Sequence, residues 1–301
     1  MRVAAIDCGT NSIRLLIADV VGDTLTDVSR RMEIVRLGEG VDRTGMLAPE
    51  AIDRTRRALI GYAAEIAELG ITRVRMVATS ASRDASNAED FRAMVRGVLG
   101  VDPEVISGDE EARLSFTGAV RGLEAEPPYL VVDIGGGSTE FVTGRSTSEQ
   151  AISMDIGCVR MTERHLKSDP PTAAEIAAAE HDITSAVDTA LAAVPGRAAK
   201  TLVGLAGSVT TVTALALDLP AYDASRIHHA QVSYDAVAKV TADLLAATVA
   251  ERRALPVMHP GRADVIGAGA LILRTIMERS GQESVIASEH DILDGICYGL
   301  L

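Results

Sequence analysis

Short apolar runs bounded by glycine, aspartate and asparagine alternate along this chain with longer stretches of helical spacing. The runs AAI and IRLLIADV flank the turn DCGTNS (7–12), and YLVV and EFV flank DIGGGSTE (133–140). Each pair reads as a β-hairpin whose turn begins with aspartate. RVRMVAT (73–79) and TLVGLA (201–206) read as buried strands. A helix is predicted over 49–69, with Pro49 in its first turn and Gly70 at its end, and a shorter one runs from Asn87 to near Gly100. Further helices are expected over 109–123, after Pro170-Pro171, from GSVTTVTAL (207–215), over 234–253 and 262–279, and from Asp291 onward.

The two hairpins echo one another. Aligning them matches Asp7 with Asp133, Gly9 with Gly135, Ser12 with Ser138 and Arg14 with Glu140. Strands alternating with helices around both copies predict α/β layers, and 301 residues suffice for two domains. The expected lobes are 1–120 and 121–301, with the last helix free to fold back on the first lobe. Pro127-Pro128 marks the junction best, although the helix over 109–123 is itself a candidate connector.

Composition narrows the function classes. The chain is 47% hydrophobic and 24% charged, with no tryptophan and no apolar run near the ~20 residues that span a bilayer. MRVAAIDCG runs straight into a strand pattern without a leader signature, so a cytoplasmic location with no membrane partner is expected. A net charge of -13 argues against nucleic-acid binding, which rests on lysine and arginine neutralising phosphates. Cys8, Cys158 and Cys297 are odd in number and far apart, as buried thiols would be, rather than a disulfide framework or metal site.

The candidate chemistry lies in three turns, DCGTNS, DIGGGST and AGSVTT (206–211). Each places small residues just past a strand, where backbone N–H groups can converge on phosphate oxygens. The third also opens a helix, whose N-terminus favours anions. The candidate phosphate-binding residues are Thr10, Asn11, Ser12, Gly135, Gly136, Gly137, Ser138, Thr139, Gly207 and Ser208.

The sequence closely resembles the exopolyphosphatase and guanosine pentaphosphate phosphohydrolase (Ppx/GppA) family, in the superfamily of actin, Hsp70 and sugar kinases. AIDCGTNSIRLL, ATSASRDASN, ISGDEEARL, DIGGGSTE, GLAGSVTTVTAL and GRADVIGAGALIL carry the resemblance, nearly end to end. It implies two ribonuclease H-like (actin-like ATPase) lobes with a cleft between them, where phosphates are held. Asp7, Asp133 and Glu140 would then hold Mg2+ with its waters, an ion suited to hard oxygen ligands; the same acids also suit plain turn capping. Glu111, directly before Ala-Arg, takes the general base's place, with Glu110 a solvated neighbour. Arg83 would face the phosphates, its planar fork spanning two phosphoryl oxygens.

The implied substrates are inorganic polyphosphate and, next, guanosine pentaphosphate (pppGpp). Long family members carry a further helical C-terminal domain, whereas this chain stops soon after DILDGICYGLL, a departure that puts in question any long-chain processivity requiring an extended groove and makes a homodimer the alternative route to full activity. A kinase of the superfamily and a noncatalytic phosphate-chain sensor are the rival readings. Arg14 would point at the same site. Arg160, Arg164 and Lys167 form a basic face suited to a longer polyanion or simply to solvent. The HD pairs His181-Asp182 and His290-Asp291 lack the further ligands of a metal-dependent HD hydrolase. Arg226, His228 and His229 form a polar cluster without a third metal ligand, left as an interface or guanine-contact element.

Overall fold

The computed structural model describes residues 1–22 and 24–300, which divide into two compact units: Met1–Gly118 with Ile292–Leu301, and Ala119–Asp291. The first unit begins with β1 (Arg2–Cys8), β2 (Ser12–Val21) and β3 (Thr24–Ile34), followed by α1 (Val41–Thr44) and α2 (Pro49–Glu68). It continues through β4 (Val74–Ala78), α3 (Ser80–Asp84), α4 (Ala88–Leu99), β5 (Glu104–Val105) and α5 (Gly108–Val120). Its sheet runs β3-β2-β1-β4-β5, antiparallel across β3, β2 and β1 and parallel across β1, β4 and β5.

Side-chain alternation on β1 explains how this sheet is covered. Ala4, Ile6 and Cys8 face one core with residues of α2 and α4, among them Leu59, Tyr62, Phe91 and Val95. Val3 and Ala5 face the other way, toward Ile292, Leu293 and Ile296 of the final helix (Ile292–Gly299). A strand buried on both faces needs an element on each, and the chain's last apolar helix supplies the second. The final helix therefore belongs to the first unit. Arg30 of β3 bonds Asp294 from Nη2 at 2.8 Å. The edge strand β3 carries Arg31 and Glu33 on one face and Arg30 on the other, charges that discourage pairing with another strand.

Gly295 brings the final helix against the backbone of α5, where a Cβ would sit 2.1 Å from the Leu114 carbonyl oxygen. Gly295→Val is expected to destabilise the chain by about 1–3 kcal/mol, because backbone rather than a flexible side chain must move. Urea unfolding should show a lower midpoint with an unchanged slope. An unchanged midpoint would contradict this packing.

The second unit holds β6 (Tyr129–Ile134), β7 (Thr139–Gly144), β8 (Ser148–Met154), α6 (Cys158–His165) and α7 (Ala173–Ala193). After β9 (Thr201–Leu205) come α8 (Ala206–Ala216), α9 (Ala224–Ile227), β10 (Gln231–Ser233), α10 (Tyr234–Ala246), α11 (Val249–Arg253), α12 (Ile266–Ser280) and β11 (Ser284–Ala287). The sheet order is β10-β11-β9-β6-β7-β8. Without the edge strand β10, this repeats the first sheet with β8, β7, β6, β9 and β11 in the places of β3, β2, β1, β4 and β5. The echo in the turns is thus an echo in topology.

Three boundaries differ from the sequence reading. The units divide at Gly118/Ala119, within the last turn of α5, so the helix is the connector and Pro127-Pro128 lies inside the second unit. The helix expected over 234–253 is two, α10 and α11, because Thr248 and Glu251 form a capping box that starts a new helix. The helix expected from 262 begins at Ile266, since residues 260–262 form a 3-10 turn capped by His259. No helix among the described residues is long and apolar enough to cross a membrane.

Candidate active site

The turns of both hairpins close with the same hydrogen bond. Gly9 N–H donates to the Ser12 carbonyl at 3.0 Å, and Gly135 N–H to the Ser138 carbonyl at 3.0 Å. Register then decides what each hairpin presents. In the first, Asp7 lies directly opposite Arg14, whose Nη2 donates to Asp7 Oδ2 at 2.6 Å and whose Nε donates to it at 3.1 Å. In the second, Asp133 lies directly opposite Glu140, and both are buried. Residues so placed have Cβ atoms about 4.5–5.5 Å apart on one face of the sheet. The first hairpin is internally neutralised and the second concentrates negative charge.

That difference sorts the expected metal ligands. Asp133 and Glu140 offer hard oxygens at close range, and Ser153 Oγ steadies Glu140 Oε1 at 2.7 Å. Mg2+ is commonly held by one or two carboxylates with waters and substrate phosphates completing its shell, so this pair fits the ion. Asp7 gives its Oδ2 to the Arg14 guanidinium, which competes with a cation for that oxygen, while Oδ1 is not engaged by that pair. Among the described residues no three histidine, cysteine or carboxylate side chains converge as a ready-made metal cage.

The glycine turn is held from one side by α6. Cys158 N–H donates to the Gly135 carbonyl at 2.9 Å, and the N–H groups of Val159 and Arg160 donate to the Gly136 carbonyl at 2.9 and 3.1 Å. The Gly137 carbonyl accepts from Arg160 Nε at 2.7 Å. Because a trans peptide points its C=O and the next N–H in opposite directions, the amides of Gly136, Gly137 and Ser138 all face away from α6. Three successive outward amides make a concavity for an anion. The approach requires Gly157, where a Cβ would fall 2.3 Å from the Gly136 carbonyl carbon and oxygen. Thr139 Oγ1 donates to the Ile156 carbonyl and so braces the turn rather than facing a ligand.

The first turn is built similarly by residues 35–38. Val35 and Arg36 N–H donate to the Asn11 carbonyl and Gly38 N–H to that of Thr10. Gly38 is required here, since a Cβ would lie 2.3 Å from Thr10 Cγ2. Thr10 Oγ1 and Asn11 Oδ1 are buried with no hydrogen-bond partner among the described residues, as expected of groups that meet a ligand or water. At the third turn Ala206 adopts the left-handed φ of 67°. Gly207 leaves room for the Arg262 guanidinium, whose Cζ would be 2.2 Å from a Cβ at that position. Ser208 is buried beneath Gly269. Gly38, Gly157 and Arg262 escaped the sequence reading as site residues, and Arg160 was read there only as part of a basic face, not as a support of the glycine turn.

Glu110 and Glu111 separate sharply. Ser107 Oγ accepts from Glu110 N–H at 3.2 Å and so caps α5. Glu110 is half-exposed and accepts from Arg75 Nη2 at 2.7 Å, in a surface network with Glu104. Glu111 is buried, and its Oε2 accepts from Arg83 Nη1 at 2.7 Å, while the same nitrogen donates to the Ile106 carbonyl at 3.0 Å. One end of the Arg83 fork is thus fixed, and among the described residues Nε and Nη2 meet no acceptor.

The remaining candidates are occupied locally. The basic face is not a free track: Arg164 pairs with Asp182 at 2.9 Å, Lys167 Nζ donates to the Glu163 carbonyl, and Arg160 serves the glycine turn. Asp182 also lies 2.9 Å from His165 Nε2, which ties the first HD pair into packing. His228 gains a third histidine: its ring stacks on His229 at 3.7 Å and tilts against His290 at 4.4 Å. Rings lying face to face keep their in-plane lone pairs from converging on one ion. His229 is held below its ordinary pKa by burial and then by His290. Cys8, Cys158 and Cys297 are all free and buried, and burial raises each thiol, Cys297 to about 12. They stay neutral and unsuited to nucleophilic or metal chemistry.

A family model described as the Ppx/GppA phosphatase family matches residues 16–301. Exopolyphosphatase 2 of Mycobacterium tuberculosis is 52% identical over 313 aligned positions, covering 99% of this chain and 98% of that protein. The crystal structure of the Aquifex aeolicus Ppx/GppA family member superimposes with a TM-score of 0.84 at 33% identity, over 99% of this chain and 97% of that one. An exopolyphosphatase from Cytophaga hutchinsonii superimposes with a TM-score of 0.89 at 26% identity, over 100% and 97%.

Proposed function

We propose that this chain, which belongs to the Ppx/GppA phosphatase family, is an exopolyphosphatase that hydrolyses the terminal phosphate of inorganic polyphosphate and releases orthophosphate. The observation that carries this reading is the buried Glu111–Arg83 pair, a carboxylate oriented by a guanidinium that still has donors to offer. Glu111 accepts a proton from the attacking water as its oxygen bonds to the terminal phosphorus, and the bridging P–O bond breaks to leave the shortened chain. Arg83 orients the base and directs Nε and Nη2 at phosphoryl oxygens, neutralising charge that a loose transition state spreads over them.

The outward amides of Gly136, Gly137 and Ser138 hold nonbridging oxygens, and glycine permits that approach because no Cβ intervenes. Within the second unit, Gly207 and Ser208 add the N-terminus of α8, and in the first unit Thr10 and Asn11 carry side-chain dipoles suited to a phosphate. Asp133 and Glu140 would hold Mg2+ with its waters. When bound there, the ion supplies charge neutralisation for the chain phosphates.

Purified protein assayed with Mg2+ against short polyphosphate, long polyphosphate, pppGpp and ATP tests this assignment. Orthophosphate release should be fastest from polyphosphate. Faster release from pppGpp would reassign the substrate within the same chemistry. Phosphate transfer from ATP to an acceptor would indicate a kinase, and binding without turnover a sensor.

A further inference from the structure

We infer that Arg160 is a positioning residue for phosphate binding, acting through the Gly137 carbonyl to fix the last of the three outward amides. This rests on the reading of DIGGGSTE as the phosphate-holding turn. The carbonyls of Gly135 and Gly136 are fixed by backbone amides of α6, which any residue at those positions would supply. The helix has no amide left for Gly137, because Met161 N–H already donates to the Gly157 carbonyl at 2.9 Å. A side chain takes over: Arg160 Nε donates to Gly137 at 2.7 Å.

Arg160 is well placed to hold that bond. Its side chain is 11% exposed, and Nη2 lies 3.8 Å from Asp155 Oδ1 at the surface. Glycine makes the third peptide the weak point of the turn, since it tolerates backbone conformations closed to other residues. With the carbonyl released, the peptide between Gly137 and Ser138 can rotate, withdrawing the Ser138 N–H and turning a carbonyl oxygen toward the anion. Lost attraction then adds to new repulsion. Only a guanidinium or a similarly long donor at this position blocks that rotation.

The test uses the full chain with R160Q, R160K and D155N. With tripolyphosphate and Mg2+, R160Q should raise KM about tenfold with kcat within threefold, the signature of lost uniform binding. R160K, which restores one donor, should stay within about threefold of wild type in KM, and D155N should match wild type. In 15N-labelled wild type, the Ser138 amide resonance should move on titration with inorganic phosphate, and R160Q should lose that response. An R160Q protein with unchanged KM, or whose Ser138 amide still responds, overturns the inference. Should R160Q not fold, R160K decides: an unmoved Ser138 amide or a tenfold KM rise counts against restoration by one donor and overturns it. A wild type that releases no orthophosphate from tripolyphosphate contradicts the proposed activity instead. A silent wild-type Ser138 amide removes the turn as a phosphate site, and Arg160 with it.

Discussion

Glu111→Gln is expected to lower turnover on polyphosphate by about 100-fold or more, with KM within a few-fold of wild type. The amide keeps the size of the side chain and an oxygen that can still accept from Arg83, but it cannot take a proton from water. Glu110→Gln is the matched control. It changes the same charge in the same helical turn, yet its side chain is half-exposed and belongs to the Arg75 and Glu104 network, where ion pairs contribute little. Its kinetics should stay near wild type. Steady-state phosphate release from the two variants checks this, and a crippled Glu110 variant beside an active Glu111 variant would move the base by one residue.

The second large effect concerns the opposed carboxylates of the second hairpin. Like charges directly opposite on a sheet repel, and at about 5 Å in an effective dielectric near 20 the repulsion is about 3 kcal/mol. Wild type should therefore gain thermal stability when Mg2+ is added. Glu140→Gln should melt a few degrees higher than wild type without metal, gain little from Mg2+, and lose activity by about 100-fold or more. Thermal melts with and without Mg2+, alongside phosphate release, measure both halves. A Glu140→Gln protein that still responds to Mg2+ as wild type does would remove this pair as the ion's site.

What the sequence made legible was local or repeated. Aspartate before glycine between apolar runs announced both hairpins, and the matching of Arg14 with Glu140 followed from counting outward from the turns. Register turned that match into an opposition between a neutralised and a doubly acidic hairpin. The helix break at Thr248 was also written locally, as threonine followed by glutamate at the capping-box spacing, but the surrounding helical periodicity masked it. Hidden features depend on segments distant in sequence. Gly157 and Arg160 support a turn from which β7 and β8 separate them, and Gly38 does the same for Thr10 across β2 and β3. Nothing in GCVR or RLGEG advertises a partner. The edge strand β3, rich in charge, lacks the apolar run by which the interior strands were read.

The central claim is that water attacks the terminal phosphorus of a phosphate chain with Glu111 as its base. Hydrolysis of tripolyphosphate in water enriched with 18O, followed by mass analysis of both products, tests it most directly. The account predicts one solvent oxygen in each released orthophosphate, none in the pyrophosphate left behind, and loss of this labelled product at the reduced rate of Glu111→Gln. Label in the pyrophosphate with unlabelled orthophosphate would place the attack on the neighbouring phosphorus, and solvent oxygen in neither product would contradict direct attack by water on phosphorus.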